Sequence, residues 1–170
     1  AAARTEVNAK VRARAVCADS WCRSVMEPLL ESVLCLTTFE LVPRFASWCP
    51  APVIKVPWSA PRYPIDAVLD AIADNTGVIA VVSPNNPTGG YATPEDLTRL
   101  SAAAPHAILM VDCAYAEFAD IDLTKTALAL PNAVAFRTVS KALGLAGLRV
   151  GYAVGDARWI SAIRHVGMPY

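Results

Sequence analysis

Long apolar stretches are missing from this 170-residue sequence. The longest uninterrupted apolar runs, Val78–Val82 and Ala107–Val111, are five residues each, against the roughly 20 needed to cross a bilayer. No membrane partner is expected. Charge is also scarce: Asp, Glu, Lys and Arg make up 18%, and 15 basic side chains balance 15 acidic ones. A balanced chain sets up no overall field for collecting nucleic acid. Only two histidines are present, His106 and His165, and the 5 cysteines contain no Cys-x-x-Cys. That arrangement argues against a disulfide framework and a structural zinc site, so no metal ligand is assigned and a reduced cytoplasm is the expected compartment. No repeat, low-complexity tract or secretory signal is visible; residues 1–14 are Ala- and Arg-rich but interrupted by Glu6.

What the sequence does have is apolar side chains, 55% of the total. That is enough for a buried core, and the length fits one domain or a piece of a larger one. From about Pro50 onward, short apolar runs alternate with helical spacing. Strands are expected over 51–57, 77–82, 107–111, 134–139 and 150–154. Helices are expected over 64–73, from the N-cap candidate Thr93 through Ala103, and over 157–166. The alternation predicts an α/β domain with a mostly parallel sheet flanked by helices. Residues 1–49 are less legible, with a helix and a strand expected over 24–36 and a break at Pro28.

Three stretches carry chemistry. Ser83-Pro84-Asn85-Asn86-Pro87-Thr88-Gly89-Gly90 leaves the carboxyl end of a buried strand, where open α/β sheets build their sites. Its prolines stiffen the loop, and Pro87 holds Asn86 extended. Such a loop can aim an amide at an oxygen of a bound ring, or can simply be a Pro/Gly turn. Asp112, in Val111-Asp112-Cys113-Ala114-Tyr115, ends a buried strand. It needs a cation or a raised pKa, or else caps a turn. Thr138-Val139-Ser140-Lys141 places a lysine just after a strand, followed by Gly144, Gly147 and Arg149. A desolvated lysine is a nucleophile for carbonyl carbons, and the hydroxyls with Arg149 suit a phosphate. A plain surface lysine is the alternative. The glycines fit neither a dinucleotide loop nor a Gly-x-x-x-x-Gly-Lys phosphate loop.

In that order and spacing, the three stretches resemble the fold-type I pyridoxal-phosphate enzymes of the class I/II aminotransferase group, with histidinol-phosphate aminotransferases the nearest likeness. The resemblance implies an incomplete large domain. Residues 1–38 would be a degenerate amino-terminal segment of it and 39–170 the cofactor-binding part, with the small carboxyl-terminal domain absent. It implies pyridoxal 5'-phosphate as cofactor, held as a Schiff base on Lys141, which then shuttles a proton. Asp112 would pair with the pyridine nitrogen. Asn86 and Tyr115 would bond the phenolic oxygen, Thr138, Ser140 and Arg149 would grip the phosphate, and Phe39 would stack on the ring. The implied reaction moves an amino group between an amino acid and a 2-oxo acid or phosphorylated ketone, in a cytoplasmic homodimer. A phosphothreonine-type decarboxylase and a non-catalytic remnant are the alternatives. The departures cluster early: Cys17 stands where a phosphate-binding turn would carry glycine, and Pro28-Leu29 lacks the usual Pro-Gly turn. With the carboxylate-clamping arginine of the small domain absent, little transaminase activity is expected from these 170 residues alone.

Overall fold

The structure, a computed structural model, describes residues 31–35, 38, 41–46, 52–59 and 61–166. Phe39 and the early departures at Cys17 and Pro28 lie outside them. Six strands form one sheet: β1 (Glu31–Cys35), β2 (Val53–Val56), β3 (Thr76–Val82), β4 (Ile108–Asp112), β5 (Ala133–Thr138) and β6 (Gly151–Gly155). Their order across the sheet is β2-β1-β3-β4-β5-β6, all parallel except β6, which runs antiparallel to β5. The central strands are the apolar, β-branched runs of the sequence. Apart from Gly77, every residue of β3 is buried, as expected for a parallel strand covered on both faces.

The helices are α1 (Leu41–Ala46), α2 (Ile65–Asp70), α3 (Pro94–Ala103), α4 (Thr124–Ala129) and α5 (Ala157–Val166). Alternation along the strands divides the core. Ile79, Val81, Leu109 and Val111 face Val68 of α2, Leu97 and Leu100 of α3, and Ala127 of α4. Val134 and Ala153, with Phe136, face Ile160 and Trp159 of α5 on the other side. The start of α3 is fixed as its sequence implies. Asp96 N–H donates to Thr93 Oγ1 at 3.3 Å, Thr93 N–H donates to Asp96 Oδ2 at 2.8 Å, and Pro94 opens the first turn. Such a reciprocal cap is worth about 1 kcal/mol, and full burial of Leu97 and Leu100 roughly 2 kcal/mol each.

Two expectations are corrected in detail. The helix expected over 64–73 is confined to Ile65–Asp70, because the chain turns at Ala71 and the Thr76 hydroxyl accepts from Ala73 N–H at 2.9 Å. The short helices α1 and α4 were not foreseen. A buried amide ties the layers together. Asn132 Nδ2 donates to the carbonyls of Ala104 (2.9 Å) and Ala107 (2.8 Å), while Ser101 Oγ donates to Asn132 Oδ1 at 2.5 Å. Because β3, β4 and β5 are adjacent and parallel, the segments leaving their carboxyl ends emerge along one edge.

Candidate functional site

The 83–90 loop is braced from within. Asn85 Nδ2 donates to Thr88 Oγ1 at 2.7 Å, Asn85 N–H to Gly90 O at 2.7 Å, and Gly89 N–H to Asn85 O at 2.8 Å. Asn85 is thereby consumed in holding the turn. Gly89 sits at φ +71°, in the left-handed region. Gly90 is pressed against an aromatic ring: a Cβ there would lie 2.7 Å from Trp58 Cζ2. Ser83 fastens the loop to its base, donating its N–H to Asp112 O at 3.0 Å and accepting from Ala92 N–H at 3.0 Å. The peptide bonds before Pro84 and Pro87 are both cis. This rigid frame leaves the half-buried Asn86 facing a cleft.

The cleft has a volume of about 600 Å³ and runs between this loop and the segment after β4, with Asn86, Tyr91, Tyr115, Phe118 and Ile121 among its walls. Asp112 is the last residue of β4 and the register partner of Val82, where the 83–90 loop begins. Burial pushes the Asp112 carboxyl above its ordinary value, although Ala114 N–H donates to Oδ1 at 2.9 Å and partly offsets this. Among the described residues no cation pairs with it. Lys141 Nζ lies 5.0 Å from the centre of the Tyr115 ring, a cation–π distance. Asn86 and Tyr115 therefore share one cleft, with the Lys141 amine beside Tyr115.

The remaining expected residues sit on the β5–β6 connection. Thr138 ends β5; its hydroxyl donates to Val150 O at 3.2 Å and accepts from Ser140 N–H at 3.1 Å. Arg149 is exposed in the left-handed region (φ 52°) and donates from Nη1 to Ala146 O at 3.2 Å, within its own turn. Of this group, only Thr138 and Ser140 are joined by a hydrogen bond among the described residues. Cys113, fully buried, is held as a neutral thiol: burial pushes it up to about 12, with Thr124 hydrogen bonding partly opposing. His106 and His165 are exposed.

Arg137, unmarked in the sequence reading, is the best-connected charged side chain beside the site. From β5 it donates to Glu117 Oε1 at 2.6 Å, Asp122 Oδ2 at 2.8 Å and Thr124 Oγ1 at 2.7 Å. Its partners lie 13 to 20 residues away in the chain, so no local spacing advertises the group.

The family model for aminotransferase class I and II matches residues 26–170. The chain belongs to this family. Among curated relatives, the aromatic amino acid aminotransferase of Mycobacterium sp. (strain KMS) is 39% identical over 145 residues, covering 82% of this chain and 40% of the relative. That of Mycobacterium avium (strain 104) is 45% identical over 122 residues, covering 69% and 34%. The chain thus spans about two fifths of the length of the relatives it matches. Among solved structures, the Thermus thermophilus aspartate aminotransferase double mutant superposes with a TM-score of 0.78 at 24% identity, covering 95% of this chain and 44% of that one. Histidinol-phosphate aminotransferase from Sinorhizobium meliloti, in complex with pyridoxal-5'-phosphate, gives a TM-score of 0.71 at 26% identity, covering 82% and 39%. The sheet described above is accordingly part of a fold-type I aminotransferase fold, and the family indicates pyridoxal phosphate as cofactor.

The side chains present fit that group. A partly buried carboxyl lacking a cation suits a pyridinium N–H, a phenol and an amide suit the ring's phenolic oxygen, and a primary amine beside them suits an aldehyde carbon.

Proposed function

We propose that this cleft binds pyridoxal phosphate and that the whole protein transfers amino groups between an aromatic amino acid and a 2-oxo acid. What supports the reading is that Asn86 and Tyr115 line one cleft, that Lys141 Nζ lies 5.0 Å from the Tyr115 ring, and that Asp112 ends the strand leading to Tyr115. Pyridoxal phosphate, when bound, supplies an electron-accepting ring to which the migrating amino group is attached. The protein's part is to hold and to move protons. Asp112 keeps a proton on the ring nitrogen, and its own strained ionisation is relieved by that positive partner. Asn86 and Tyr115 donate to the phenolic oxygen. Lys141 would hold the cofactor at its aldehyde carbon, and its amine would be the group placed to carry a proton to and from the substrate α-carbon. Thr138, Ser140 and Arg149 would take the phosphate, and Phe39, outside the described residues, is the ring-stacking candidate by resemblance alone. Residues 39–170 form the cofactor-binding part, with 1–38 as the leading segment of the same domain, in a cytoplasmic homodimer.

The aromatic assignment rests on relatives 39–45% identical. Histidinol phosphate is a second reading, favoured by the Sinorhizobium structure at 26%. The two separate in a panel assay of the whole cofactor-loaded protein with phenylalanine, tyrosine and histidinol phosphate as donors and 2-oxoglutarate as acceptor. Glutamate formed fastest from phenylalanine or tyrosine is the expected result. Preference for histidinol phosphate would replace the aromatic assignment, and carbon dioxide release from a phosphothreonine donor would point to a decarboxylase. No turnover with any donor would favour a non-catalytic remnant.

A further inference from the structure

Arg137 is buried in the fold yet spends its donors on one short stretch of chain. Its side chain is 11% exposed, and its forked guanidinium reaches Glu117, Asp122 and Thr124. Glu117 and Asp122 belong to the connection from β4 to α4, and Thr124 is the first residue of α4. That connection begins at Asp112, carries Tyr115 into the cleft, and includes the 3-10 turn Ala116–Phe118. Cys113, Ala116 and Leu123 root this stretch in the core, and between those anchors Phe118 is 67% exposed while Asp122 and Glu117 are partly open to solvent. Arg137 stands one residue before Thr138 and four before Lys141. One rigid side chain therefore spans the two segments whose residues meet at the cleft.

We infer that Arg137 is a positioning residue, which latches the 113–124 connection to β5 and thereby sets Tyr115 relative to Lys141. This rests on the proposed cofactor reading only for its consequence, since the latch itself is a property of the free chain. Planar geometry matters, because two nitrogens serve three acceptors in a fixed fork and a lysine supplies only one point charge. A surface ion pair between helices, Arg99 with Asp66 at 2.7 Å, joins α2 to α3 and provides the control.

The test combines hydrogen exchange with a double-mutant cycle on the purified chain. In the cofactor-free protein, Arg137→Met, and separately the surface variant Glu117→Gln/Asp122→Asn, is expected to speed amide exchange across 113–124 by about tenfold or more. That is the size expected for losing charged hydrogen bonds in a locally opening segment. Exchange in β3 and α3 should stay unchanged, Arg99→Met should leave 113–124 unaffected, and Arg137→Lys should not rescue. With pyridoxal phosphate added, the pH midpoint of the bound cofactor's visible absorption should shift in Arg137→Met in the same direction as in Tyr115→Phe. The double variant should match Tyr115→Phe alone. Uniform loosening of the whole sheet, unchanged exchange in 113–124, or midpoint shifts that simply add would overturn the inference. A wild-type chain that binds no pyridoxal phosphate would sink the cofactor reading, and the exchange measurement would still decide the latch.

Discussion

At the residue scale, the decisive feature is a carboxyl held where its charge is poorly solvated. Asp112 has a folded pKa raised above its ordinary value of 3.8 by burial. A raised carboxyl contributes stability that is fully present below the unfolded value and is lost as pH rises through the folded one. The cofactor-free chain should therefore lose stability from about pH 4 upward by an amount that Asp112→Asn abolishes. Thermal melts of both proteins across that range check this. The difference should vanish in acid and favour Asp112→Asn near neutrality. The same substitution should weaken pyridoxal phosphate binding at least tenfold, because the neutral amide no longer pairs with a ring N–H⁺. A residue that costs stability when empty and gains a partner when filled is what a binding site requires.

At the element scale, the 83–90 loop depends on what stands behind it. Adding a methyl group at Gly90 forces Trp58 away, since the new Cβ would lie 2.7 Å from its ring. Gly90→Ala should cost about 1–3 kcal/mol in denaturant unfolding and displace Asn86. Loss of the Thr93 cap in Thr93→Ala should cost about 1 kcal/mol without touching the cleft. The contrast between these two variants in cofactor affinity separates loop geometry from stability. Legibility followed the same division. The α3 helix was readable because Thr93, Pro94 and Asp96 act within one turn, and β3 and β4 because continuous apolar runs leave few alternatives. The α1 helix escaped because Pro43 interrupts it, and α4 because only Ala127 of its six residues is buried, too little to set a period. Asn86, Asp112, Tyr115 and Lys141 stand in compact motifs, which is why the sequence offers them as candidates. It does not offer Arg137, because its acceptors come together only after β4 and β5 have paired.

At the scale of the whole molecule, one sheet edge gathers three connections that are distant in sequence. No helix among the described residues is long and apolar enough to cross a membrane. Exposed apolar side chains gather on the β5–β6 connection, with Leu143 and Leu148 each 61% exposed, on the same connection as Lys141. The central claim is that this edge forms a working cofactor site centred on Lys141. Its most direct test is to incubate the purified chain with pyridoxal phosphate, reduce with borohydride, digest, and map the modified lysine by mass spectrometry. A single adduct at Lys141, absent from Lys141→Ala, is the expected result. Label spread over Lys55, Lys125 and Lys141 alike, or no label, would contradict it.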